Sequence, residues 1–193
     1  MTALVDVAFL LLAFFLLSSH FKPVGRVDIS SPASSSFNSH FGYSAYPQAT
    51  VSITKGGKVF FNLHDPRLRA RILLRAAITN GLDLAPAAVL AFARAEDFGG
   101  SLRDLIATAG GNTGKTLSPL LQSGIPIHKK NNELLSWLKW AKDEAPDLQF
   151  NIRADSDAAY PPFEAVIASL QHTGIHRFTL LTTLERDDRI AYR

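Results

Sequence analysis

Cysteine is absent from the 193 residues. That absence excludes disulfides, thiol catalysis and cysteine-ligated zinc, and it suits the cytoplasm and the periplasm equally. Charge is also scarce: Asp, Glu, Lys and Arg make up 19% of the chain, below the roughly one quarter usual in soluble domains. Twenty basic and 17 acidic side chains leave a net charge of +3. No basic run exceeds Lys129-Lys130 and no aromatic residues interleave with basic ones, so the footprint of a nucleic-acid face is missing.

Motifs that carry catalysis are missing in the same way. GGNTGKT at 110–116 comes near a phosphate loop. Such a loop needs four residues between its first glycine and its Gly-Lys-Thr, and Ala109 stands where that first glycine belongs. No strand pattern precedes it and Pro119 interrupts any following helix. Asp155 and Asp157 lack the glycine turn and third carboxylate of a calcium loop, and read instead as the end of a strand and the cap of a turn. The six histidines (20, 40, 64, 128, 172, 176) are scattered. His172 and His176 have i, i+4 spacing, but Gly174 breaks the helix between them. Serine, histidine and aspartate occur without a nucleophile elbow. No enzyme and no cofactor is expected.

What is present begins at the first residue: MTALVDVAFLLLAFFLLSS. From Ala3 to Leu17 only Asp6 is polar. A helix of that stretch covers roughly 22 Å, against a hydrocarbon core of roughly 30 Å. A buried helix of a soluble protein fits poorly, because Phe9–Leu17 is apolar on every face and lacks a stripe. A cleaved signal peptide also fits poorly, because no Lys or Arg precedes the run and Asp6 falls within its apolar part. An uncleaved membrane helix over residues 1–19 is the expectation. Its orientation is not legible: Lys22 and Arg26 alone would place the rest of the chain in the cytoplasm.

Asp6 is the informative residue of this helix. Ionised in lipid it costs about 3 kcal/mol, and desolvation favours the neutral acid. Two readings stay open. Either Asp6 reaches headgroup water and does nothing, or it is covered by further chain or a partner helix and carries protons.

Residues 20–48 are rich in Ser, Pro, Gly and Asn, have no period, and read as a linker that would reach roughly 90 Å if extended. The remainder, 49–193, reads as one folded domain. Thr50–Thr54 alternates apolar and polar, Lys55–Lys58 is a turn and Val59–Phe61 returns: a hairpin. Asp65-Pro66 opens a helix with Leu68, Ile72, Leu73 and Ala76 on one face, ending at Gly81. Pro86 opens a second helix to about Ala95, and Ser101 caps a short third to Ala107. Residues 108–126 look irregular. A helix from about Asn131 carries Leu134, Trp137, Leu138 and Ala141. Leu148, Phe150 and Ile152 alternate as a strand. The helix from Pro161 carries Phe163, Val166, Ile167 and Leu170 and stops at Gly174. His176–Thr182 is a strand, joined to the previous one by a right-handed crossover. The expected class is α+β: a small mixed sheet with helices on one face.

Both ends of the chain resemble one family. MTALVDVAFLLLAFFLL resembles the membrane helix of ExbD/TolR proteins, whose usual opening is Met-Thr-Pro-Leu-Val-Asp before an apolar run; Ala3 stands in place of the proline. FNIRADSDAAYPPFEAVIASLQHTGIHRFTLLT resembles the end of the family's periplasmic domain, and Val51–Phe61 its first hairpin. FFNLHDPRLR through GIPIHKKNNELLSWLKWA, with a helical insertion at about 80–128, is similar to larger ExbD variants of Bacteroidetes-type bacteria. The resemblance implies a single-pass protein of the inner membrane with its C-terminal domain in the periplasm. It implies an ExbB-like ring and a TonB-like protein as partners, a second copy of the domain, and energy transduction to outer-membrane transport. It places Asp6 at the family's proton-binding aspartate. A TolR-like role in envelope integrity and a tethered adaptor without a proton role are the alternatives. The family carries a tail before its Met-Thr, so the resemblance also implies a native start upstream of Met1 or a shortened version.

Overall fold

A computed structural model describes residues 2–18, 29–30, 33–34, 46–81, 83–95, 97–105, 123–128, 131–181 and 183–184. The apolar opening is one helix, α1 (Thr2–Ser18). A two-residue strand β1 (Ala33–Ser34) follows. The domain begins with the expected hairpin, β2 (Gln48–Ile53) and β3 (Val59–Leu63), paired antiparallel with Val51 opposite Phe61. Gly57 in the turn has φ +73°, which only glycine adopts without steric cost.

Helix α2 (Pro66–Thr79) starts as expected. The Asp65 carboxylate accepts from the Arg67 backbone N–H at 2.8 Å, satisfying a donor that the helix itself leaves open. Helix α3 (Pro86–Arg94) also begins at its proline. Of the short helix expected after Ser101, residues 102–105 are helical and its expected end at 106–107 lies outside the described residues; the Ser101 C=O accepts from Leu105 N–H as an N-cap does, but its hydroxyl does not supply the capping oxygen. Glu133 accepts from the Leu102 N–H and from the Ser101 hydroxyl, so the capping oxygen comes from some thirty residues away, where no local pattern could show it. A small hairpin, β4 (Ile127–His128) and β5 (Asn131–Asn132), was not expected. It delays the next helix, α4 (Glu133–Glu144), by two residues. Then come β6 (Gln149–Ala154), α5 (Tyr160–His172), β7 (Phe178–Leu180) and β8 (Thr183–Leu184). β7 lies within the strand expected at 176–182, and β8 follows beyond its expected end and pairs in a separate sheet with β1. GGNTGKT lies outside the described residues.

The main sheet is mixed, in the order β3-β2-β6-β7. β6 and β7 are parallel neighbours joined through α5, as the strand–helix–strand pattern implies. The sequence did not reveal that β2 runs parallel to β6 along its whole length, from Gln48 beside Gln149 to Ile53 beside Ala154. One face of the sheet (Ala49, Val51, Ile53, Val59, Phe61, Leu63, Phe150 and Ile152) joins a single core with Leu68, Ile72, Leu73, Leu134, Trp137, Leu138, Val166 and Leu170. The helical stripes read from the periodicity therefore pack on that face. Burying each such side chain is worth about 2 kcal/mol.

The other face carries Thr50, Ser52, Asn62, Asn151 and Arg153. Alternation alone would leave such residues in water, yet Thr50, Ser52 and Asn151 are buried. The 80–128 insertion accounts for part of this. Phe98 exchanges backbone hydrogen bonds with Phe61 on the outer edge of β3, and Ile125 N–H bonds to Val59 C=O beside it. Asp97, 3% exposed at its side chain, reaches onto the polar face. It accepts from Asn62 Nδ2 at 3.3 Å and pairs with Arg153 at 3.5 Å, while Arg153 also donates to the Ser52 hydroxyl. From the other side, the buried Arg69 of α2 donates to the carbonyl of Ala95, where the end of α3 favours a cation. Phe98 lies 5.5 Å from Phe61, 4.7 Å from Phe92 and 4.9 Å from Trp137, ring centre to ring centre. The insertion is thus built into the core.

Three substitutions test this packing. A Cβ on Gly99 would stand 2.8 Å from the Gly124 backbone and from the Phe60 ring. Gly99→Ala is expected to cost about 2 kcal/mol of unfolding free energy through overpacking, read by urea denaturation. A cost under half of that would mean the 97–99 and 123–125 segments are not packed so closely. At the ion pair, Arg153→Met takes the guanidinium from a buried carboxylate that keeps its Asn62 hydrogen bond and is expected to cost about 3 kcal/mol, whereas Asp97→Asn leaves an arginine that can turn to water and costs less. The reverse order would contradict the burial of Asp97.

Candidate functional site

Asp6 sits in the second turn of α1 and is the sole ionisable side chain of that helix. Helical geometry places it on one line with Leu10 and Ala13. Its surroundings are apolar and open: Val5, Phe9 and Leu10 are 61–68% exposed, and so to a similar degree are Phe14 and Phe15 on the other side. Water would penalise such a surface, since contiguous exposed apolar area of this kind marks a contact with lipid or another protein. At 17 residues α1 is roughly 25 Å long. Among the described residues no helix is long and apolar enough to cross a membrane.

A second candidate region joins the linker to the domain, and sequence reasoning missed it. Of the residues read as linker, 19–28, 31–32 and 35–45 lie outside the described ones. The described linker residues do not behave as free chain. Ser30 N–H donates to the Asp155 carboxylate at 3.1 Å, and Ser30 C=O accepts from Ser156 N–H at 2.8 Å. A few residues on, β1 runs parallel to β8, with Ala33 beside Thr183. Within the 20–48 segment expected as a linker, Ser30 is held by the Asp155 carboxylate and the Ser156 N–H, and β1 by β8.

The turn itself follows from its acidic pair. Asp155 ends β6, and its Oδ1 accepts from Asp157 N–H at 3.0 Å, the self-bonded turn that Asp-x-Asp favours. Its Oδ2 is left for Ser30. Asp157 pairs instead with Lys55 of the β2–β3 turn at 2.8 Å. The parallel register of β2 and β6 ends both strands at the same level, so the two turns meet there. No group of three or more His, Asp or Glu suited to a metal occurs among the described residues.

These bonds shift titration in definite directions. The backbone N–H of Asp157, then that of Ser30, hold the Asp155 carboxyl below the ordinary carboxylate range, with Lys55 adding a smaller pull. The Asp157 hydrogen bond and charge raise Lys55 above the usual ammonium value. For a depressed acid the sign is fixed. Its stabilisation of the turn is complete above the unfolded value, about 3.9, and disappears as pH falls through the lower folded value. An NMR titration of the Asp155 side-chain carbonyl is expected to show a midpoint below about 3.9. A midpoint at or above that would mean the two N–H donors do not engage it in solution.

Comparison with known proteins bears on both regions. The family model described as "Biopolymer transport protein ExbD/TolR" matches residues 1–185, which takes in α1, the tether contacts and the whole sheet. No curated protein and no solved structure matches the chain. An apolar helix bearing one acid, joined through a bonded tether to a four-stranded α+β domain, is matched as a single unit, and the chain belongs to the ExbD/TolR family of biopolymer transport proteins.

Proposed function

We propose that this chain is the single-pass inner-membrane subunit of a proton-driven motor, acting with an ExbB-like ring and a TonB-like protein to energise outer-membrane transport. Membership of the family implies energy transduction in biopolymer transport. The observation that carries the finer reading is the lone carboxylate of α1 among exposed apolar side chains.

The physical sequence is short. Charged, Asp6 is held against polar groups of the surrounding ring; neutral, it faces an apolar wall. A charge misplaced in hydrocarbon costs about 3 kcal/mol, and a proton crossing about 150 mV releases about 3.5 kcal/mol. The two magnitudes match, so one proton can exchange one preference for the other and move the helix. At roughly 25 Å, α1 spans by local thinning of the bilayer or with residues flanking it. The α+β domain lies in the periplasm and receives the motion through the tether.

Asp6→Asn, expressed beside the ExbB-like and TonB-like proteins of its own cell, is expected to abolish energy-dependent uptake with protein level unchanged. Wild-type uptake would refute the proton role and leave an adaptor. Loss of envelope integrity in place of uptake would assign the TolR-like role.

A further inference from the structure

We propose that Asp155 is a positioning residue that latches the tether to the domain and so gives the membrane connection two lengths. This rests on the motor reading above, which supplies the membrane anchor and the need for reach.

The observations are the bonds around Ser30. Its N–H and C=O are both engaged by the turn after β6, through Asp155 Oδ2 and Ser156 N–H. Beyond it, β1 adds a parallel pairing to β8. Ser30 therefore moves with the domain while these contacts last, and only the twelve residues after Ser18 connect helix to domain. Fully extended they reach roughly 40 Å. With Ser30 and β1 released, the connection runs from Ser18 to Gln48, the first residue of β2, and reaches roughly 100 Å.

The latch is weak enough to open. Ser30 is exposed, Asp155 is not deeply buried, and β1–β8 is two residues long. Exposed hydrogen bonds contribute only modestly to stability, and such short pairings belong to the parts of a fold that open first. The latch also survives the loss of neighbouring charge poorly. Asp155 shares its turn with Asp157, which is neutralised across the gap by Lys55. Without that ion pair the two carboxylates would repel and the turn that presents Oδ2 would loosen.

The cysteine-free chain makes the test direct. Ser30→Cys with Ser156→Cys leaves the backbone bonds intact and places thiols on two residues whose main chains are hydrogen-bonded, Ser156 N–H to Ser30 C=O, so a cross-link between them reports the latched state. In the full-length chain in native membranes, mild oxidation is expected to join them in most molecules. Adding Asp155→Asn keeps one oxygen for Asp157 N–H and turns an amide NH2 toward Ser30 N–H. It is expected to lower the cross-linked fraction about threefold or more while the domain stays folded and its melting temperature falls only slightly. Locking the tether by the disulfide is expected to abolish energy-dependent uptake, and reductant to restore it. A cross-linked fraction indifferent to Asp155→Asn removes the latch. Normal uptake by the locked chain, where Asp6→Asn abolishes uptake, removes the two-length tether alone. Normal uptake in both variants removes the motor reading and the tether with it.

Discussion

Strand β2 lies between β3 and β6, and its parallel register with β6 is the constraint on which the remaining arrangement depends. The two strands are about a hundred residues apart in the chain, yet Ile53 and Ala154 end side by side. That common end brings the turn after β2 to the turn after β6, so Lys55 meets Asp157 and Asp155 becomes available to Ser30. The same register sets Arg153 beside Ser52, where its guanidinium also reaches Asp97 of the insertion. A slip of one residue would turn every side chain of one strand to the other face. It would turn Ser52 or Arg153, according to which strand moved, toward the core and dissolve both the tether site and the anchor of the insertion.

The core and the polar face divide the work. Apolar residues of β2, β3 and β6 bind the helices, which supplies stability in proportion to area. The polar face binds the insertion through directional contacts, each of which demands a partner once buried. Asp97 and Arg69 act from opposite sides of residues 95–98, one a buried anion and the other a buried cation. Leaving either unpaired would be costly, so the insertion has one position against the domain. Its backbone also occupies the outer edge of β3, which would otherwise be open to another strand.

At the other end the chain keeps its apolar surface and its acid on an element that packs little with the domain. The energetic logic of α1 differs from that of the sheet. Asp6 is the sole ionisable side chain of that helix. Between these two kinds of structure, Ser30 is bonded to the turn after β6 and β1 is paired with β8.

Local chemistry was enough to determine most elements. Pro66, Pro86 and Pro161 opened helices, Gly57, Gly81 and Gly174 closed turns, and the stripes of α2, α4 and α5 named their own buried faces. Asp6 was legible for the same reason, since one carboxylate in an apolar run contrasts with its immediate neighbours. The contacts between distant segments were not legible. Glu133 as the cap of 102–105, Asp97 on the polar face, β2 beside β6 and Ser30 on Asp155 each join residues whose sequence neighbourhoods carry no trace of the partner. Periodicity reports which face of an element avoids water, and only the folded chain decides which polar group is brought to which.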